Sequence, residues 1–311
     1  MERNLSMVGR LRNHYNGDGL RHFRPREPSF QKFSKGGKAM CGLTGVIFGK
    51  QKRSQAEMET IKDIFTTMFI FSEERGRHAS GIATLSTNGK HSLYKLPVPP
   101  SRMISLTKYN EILDNINDKT TILMGHSRWK TVGTEYNNNN NQPIVSGPII
   151  GEHNGTISNY KELFESFQFR RFAEVDSEIL FRMAEASLQD GVIQTSTFSN
   201  YVSHCQGSLS CVYVSKTDPE SVYLYHGDKP LFLYYHPGMQ VLIYSSARQY
   251  IEEALDGDSG WIPITFPENK MYQTNYKDFR NIVSEPFFYR RNVPLTMCVD
   301  KSKAQRALRG S

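Results

Sequence analysis

Residues 78–98 read HASGIATLSTNGKHSLYKLPV, two short strand-like runs that meet at Asn88-Gly89. An Asn-Gly pair supplies the positive φ angles of a two-residue turn, and a turn that short joins only antiparallel strands. Further strand-like runs occur at 42–49, 120–129, 148–157, 207–215, 221–235 and 240–247. Between them, 54–76 places Met58, Ile61, Ile64, Phe65, Met68 and Phe69 at helical spacing, and 159–167, 176–191 and 248–255 also read as helices. The strands come in groups closed by turns, not in regular strand–helix–strand units. That order predicts an α+β fold with antiparallel sheets. The run of five Asn, 137–141, reads as a loop insert, and no internal repeat is present.

Composition is that of an ordinary globular protein long enough to bury a large core. The net charge of +7 is concentrated: residues 1–40 hold nine Lys/Arg against three acids, so the remainder is nearly neutral. A nucleic-acid footprint therefore has little support in the body of the chain. The first forty residues are poor in aliphatic side chains and lack an apolar stretch of the secretory kind, so they read as a disordered basic leader. No apolar run reaches membrane-spanning length. Cys41, Cys205, Cys211 and Cys298 are scattered, without a Cys-x-x-Cys pair or a zinc-type cluster, which fits a reducing cytoplasm.

Several residues carry possible chemistry, and each has an ordinary reading beside it. Cys41, in MCGLTGVIFG, is a buried small hydrophobe or a nucleophile. Asn154-Gly155 is a hairpin turn or an anion site. Asp176, ahead of SEIL, is a helix N-cap or a ligand for a cation. Arg128 is a surface charge, a salt-bridge partner or a fork for a carboxylate.

Their order along the chain narrows the choice. Cys41-Gly42, then Arg75-Gly76 with Gly81, then Gly125-His126 with Arg128-Trp129 and Thr131, then His153-Asn154-Gly155, then Asp176 resembles the class II glutamine amidotransferase domain of the N-terminal-nucleophile hydrolases. The wording is similar to the glutaminase half of glucosamine-6-phosphate synthase. HGDKPLFL and YSSARQYIEEAL continue the resemblance to about Tyr272. The resemblance implies a four-layer αββα sandwich, two antiparallel sheets between helices, over 41–285. Residues 1–40 are then a leader or propeptide and 286–311 a basic tail.

It also implies roles. The Cys41 thiol attacks the side-chain amide of L-glutamine to form a γ-glutamyl thioester, with the α-amine of Cys41 as base. A free α-amine has a pKa of about 7.7–8.0 and can shuttle a proton; an acylated nitrogen cannot. Cys41 must then become the first residue, through removal of Met40 or of the whole leader. Asn154 and Gly155 hold the oxyanion, Arg128 the α-carboxylate and Asp176 the α-ammonium. Trp129, Thr131 and the Asn-rich loop form a lid, and His153 and Arg75 line the substrate. No cofactor and no metal are implied. The ammonia goes to a separate synthase subunit, the location is cytoplasmic, and neither membrane nor nucleic acid is an expected partner.

The chain departs from the family's wording at Arg77-His78-Ala79, Lys130 and Val132. Two other readings stay open: a γ-glutamyl amide hydrolase for a larger substrate, and a catalytically silent binding domain that keeps its leader.

Overall fold

The computed structural model describes residues 41–291. The leader with Met40, the segment 292–311 and Cys298 lie outside the described residues. In chain order the first half contains β1 (Gly42–Phe48), α1 (Gln55–Phe71), β2 (Ala79–Ser86), β3 (His91–Leu96), α2 (Pro100–Met103), α3 (Thr107–Asp114) and β4 (Thr120–Arg128). β5 (Ile144–Ser146), β6 (Ile149–Ile157), α4 (Tyr160–Ser166), α5 (Glu178–Ala186), β7 (Leu188–Gln189), β8 (Val192–Ile193) and α6 (Thr195–Val202) follow. Then come β9 (Gln206–Ser215), β10 (Asp218–His226), β11 (Phe232–His236), β12 (Val241–Ser245), α7 (Arg248–Leu255), β13 (Ile262–Ile264), β14 (Lys270–Asn275), β15 (Val283–Pro286) and β16 (Arg290–Arg291).

Two large sheets result. One runs β13-β11-β12-β1-β4-β2-β3, the other β15-β14-β10-β9-β6-β5, with β16 added to β9. Every neighbouring pair is antiparallel except β16–β9. The hairpin at Asn88-Gly89 closes β2 onto β3, but as a three-residue loop, 87–89, between the bonded Ser86 and Lys90, and of the Asn-Gly pair Gly89 alone takes a positive φ, +77°.

Strand alternation sorts the core into three apolar layers. Leu43, Ile47, Ile122 and Met124 of the first sheet meet Ile150, Val212 and Leu224 of the second in a central layer. On the outer face of the first sheet, Val46, Phe48 and Leu123 pack against α1, α3 and α7. On the outer face of the second, Ile149, Ile157 and Tyr213 pack against α4, α5 and α6. This is the four-layer αββα sandwich that the resemblance implied. α1 is set by its apolar stripe and by a capping box, in which Ser54 and Glu57 satisfy each other's backbone N–H.

The pattern over 176–191 reads as one helix, but the helix stops at Ala186. Asp190 and Gly191 take positive φ angles and turn the chain into the β7–β8 hairpin. The Asn run is also more than an insert, because Asn140 and Asn141 are buried. Packing continues past residue 285: Phe287 is buried among Phe198, Tyr225 and their neighbours, and Arg290 N–H donates to Cys205 O. Among the described residues no helix is long and apolar enough to cross a membrane.

Candidate active site

Because β1 and β4 are antiparallel, the start of one meets the end of the other: Gly42 pairs with Ser127, which sets Cys41 beside Arg128. The corner is tight. A Cβ on Gly42 would lie 2.3 Å from Ser127 Oγ, and one on Gly76 would lie 2.4 Å from the Arg128 carbonyl carbon. Arg75 Nε donates to Cys41 O at 3.0 Å, and the Cys41 thiol donates to Trp129 O at 3.8 Å. Enclosure of the sulfur pushes the thiol up to about 11, although the bond to Trp129 and the charges of Arg128 and Arg75 pull it down; the Asp176 charge pushes it further up. At neutral pH the sulfur is therefore held as a thiol.

β6 supplies the next two residues, and the ordinary reading of Asn154-Gly155 as a hairpin turn is corrected. Both residues lie inside β6, opposite Ser210 and Leu209 of β9. Gly155 has φ +142°, and a Cβ there would stand 2.0 Å from Ser208 O, so only glycine fits. The Asn154 side chain is buried on the central-layer face, and neither its Nδ2 nor its Oδ1 has a protein partner. His153, one residue earlier, alternates to the opposite face. There Nδ1 meets Ser177 Oγ at 2.8 Å and Nε2 meets Ser208 O at 3.3 Å. His153 thus braces the strand from behind and is not brought to the Cys41 face.

Asp176 is not the N-cap of α5; Ser177 occupies that position. Its carboxylate instead accepts the Ile157 N–H at 2.7 Å, tying the start of α5 to the end of β6. Glu178 holds the preceding turn by accepting the backbone N–H groups of Phe172 and Ala173.

Arg128 is buried, and its guanidinium is held by three acceptors: Asn141 Oδ1 at 2.8 Å, Val132 O at 2.6 Å and Gly133 O at 2.9 Å. Asn141 also donates to Glu135 O and Asn138 Oδ1. Asn140 donates to Thr134 O and to Glu174 Oε2, and its Oδ1 accepts the Glu174 N–H. Gln142 forms a two-way amide pair with the His153 peptide and reaches Ser177 Oγ. Sequence reading gave Asn140 and Asn141 only a place in a lid and missed Gln142. The one signal was position, a polar run between Arg128 and the next strand.

Two of the departures from the family's wording, His78 and Lys130, touch one another. Lys130 N–H donates to His78 Nδ1, His78 packs edge-on against Trp129, and Lys130 Nζ pairs with Glu135. Trp129 is half-exposed, and Thr131 lines an open cavity of about 830 Å³ with Lys130, Tyr160, Lys161, Arg171 and Phe172. Among the described residues no group of His, Cys, Asp and Glu is arranged to hold a metal ion.

The glutamine amidotransferase domain family matches residues 126–253. A glutamine–fructose-6-phosphate aminotransferase (isomerizing) from Sulfolobus acidocaldarius is 31% identical over 204 residues, 62% of this chain and 30% of that protein. The enzyme of the same name from Staphylococcus epidermidis is 26% identical over 206 residues, 65% of this chain and 32% of that protein. The chain thus spans about a third of the length of these relatives. Among solved structures, the glutamine phosphoribosylpyrophosphate amidotransferase of B. subtilis superposes with a TM-score of 0.58 at 18% identity, over 79% of this chain and 49% of that one. At that identity the likeness speaks for the fold.

Proposed function

Because this chain carries a class II glutamine amidotransferase domain, we propose that it hydrolyses the side-chain amide of glutamine through a γ-glutamyl thioester on Cys41. Glutamate and ammonia are the products, and the ammonia is taken up by a separate synthase partner in the cytoplasm. The observation that carries this reading is the Asn154 carboxamide, buried and without a protein partner, next to the N–H of a residue that must be glycine. Leaving a buried amide unpaired costs about 1–3 kcal/mol. A donor kept ready for an oxyanion recovers that cost in the transition state.

Support comes from the charges that act on the Cys41 sulfur, those of Arg128, Asp176 and Arg75. Arg128 brings a positive charge for the α-carboxylate, and Asp176 a negative one for the α-ammonium. Two opposite charges read together select a free amino acid. Since the thiol is held protonated, an α-amine of Cys41 freed from residue 40 serves as the base.

The test is covalent labelling of Cys41 by an electrophilic glutamine analogue, together with ammonia release from glutamine, in protein whose first residue is shown by mass to be Cys41. Labelling and turnover are expected, and both are lost in Cys41→Ala. Turnover that survives Cys41→Ala would overturn the proposal. A second reading, hydrolysis of a larger γ-glutamyl amide, has one observation in its favour: the open cavity beside Thr131 is wider than glutamine needs. A preference for γ-glutamyl dipeptides over glutamine would establish it.

A further inference from the structure

Between the two sheets, just behind the nucleophile's end, the central layer turns from aliphatic to polar. Along β4, His126 shares a face with Ile122 and Met124; along β6, Glu152 and Asn154 share a face with Ile150. His126 and Glu152 are completely buried and Asn154 nearly so. Glu152 Oε2 and both amide atoms of Asn154 have no protein partner, and the His126 ring has none beyond its contact with the His153 backbone. The other carboxyl oxygen, Oε1, accepts the Tyr244 hydroxyl at 2.7 Å. Tyr244 reaches it by lying across Gly45, where a Cβ would meet the ring at 2.3 Å. The His126 ring lies beside the His153 backbone, and so at the root of Asn154.

Burial favours the uncharged form of both titratable groups. Burial drives His126 down to about 3 and the Glu152 carboxyl well above the usual range. A neutral imidazole offers one donor and one acceptor, a protonated carboxyl a donor and an acceptor, and an amide both. Such a lining suits a small neutral molecule that donates and accepts. A cation would find no anion there and would face Arg128, and an apolar guest would leave every group unpaired.

We propose that His126, Glu152 and Asn154 form an internal binding site between the sheets for water or ammonia. If Asn154 Nδ2 serves the oxyanion, its Oδ1 remains for this site. Ammonia as the occupant rests on the proposed glutaminase activity; water does not.

The test is a crystal structure of the full chain at a resolution that shows ordered water, combined with ¹⁵N NMR of the His126 ring during addition of ammonium chloride at alkaline pH. A density peak within about 2.7–3.2 Å of Glu152 Oε2 and a His126 nitrogen is expected. The peak is kept in Glu152→Gln and lost in Glu152→Leu. A His126 shift with ammonium, abolished in Glu152→Leu, identifies ammonia as an occupant; a peak without that response identifies water. A direct His126–Glu152 hydrogen bond, or no peak in the wild-type protein, overturns the site, and that result stands even where Glu152→Leu does not fold. Failure of Cys41 labelling with the peak present removes the ammonia reading alone.

Discussion

At Asn154, the same burial that makes the unpaired amide costly suits it to the proposed oxyanion role, because a donor in a water-excluded site keeps its full strength toward a developing negative charge. Asn154→Ala is therefore expected to lower kcat by about 10²–10³-fold, with a smaller change in KM, as read by steady-state ammonia release. Glu152 and His126 shape stability instead. Glu152 has a raised folded pKa, so above about pH 4.5 the unfolded chain releases a proton that the folded chain keeps, and stability falls as pH rises. His126 has a depressed one, so between about 6.5 and 3 the unfolded chain binds a proton that the folded chain refuses, and stability falls as pH falls. Glu152→Gln removes the first effect and leaves the second. Its melting temperature should exceed the wild type's at pH 7–8 by about 2–4 °C for each kcal/mol recovered, with the difference closing below pH 4.5. Thermal melts across that range check it.

Among the elements, the segment 128–142 decides how well the proposed carboxylate clamp is aimed. The Arg128 fork is fixed by one side chain, Asn141, and two loop carbonyls. Removing the side chain in Asn141→Ala leaves a buried donor unmatched, at about 1–3 kcal/mol. Since Arg128 is the proposed partner of the bound amino acid, KM for glutamine should rise about tenfold or more while kcat changes less. Ser54→Ala, which breaks the capping box of α1 far from the site, should cost about 1 kcal/mol of stability and leave both constants unchanged. The Asn run also shows where sequence stops being informative. β1–β4, β6 and β9–β12 were legible because period-two alternation and the Asn88-Gly89 turn are local signals, whereas β14 and the short strands β5, β7, β8, β13, β15 and β16 were not read. α1 was legible through its stripe and its cap. α2, α3 and α6 were not, because they are short and bury few side chains each; α3 contributes Tyr109, Ile112 and Leu113. The nucleophile, oxyanion and clamp candidates could be found because their order along the chain matched a family. Asn140, Asn141 and Gln142 act through loop geometry that no local pattern encodes.

For the molecule as a whole, the antiparallel pairing of β1 with β4 brings the first described residue into a corner already formed by Arg75, Gly76 and Trp129. Among the described residues, the layers beneath it, from Leu43 inward, are already well buried. Folding and activity should therefore respond differently to what precedes Cys41. A chain that retains residues 1–40 and one trimmed to begin at Cys41 should melt within a few degrees of each other. Only the second should take up the glutamine-analogue label and release ammonia, because a peptide nitrogen is no base while an α-amine titrates at about 7.7–8.0. In the trimmed protein kcat/KM should climb about tenfold per pH unit below that range and level off above it, as the amine loses its proton. Mass spectrometry fixes the first residue, and a pH–rate profile supplies the rest. A flat profile, or equal turnover by the untrimmed chain, would assign proton transfer to some other group and remove the reason for Cys41 to stand first.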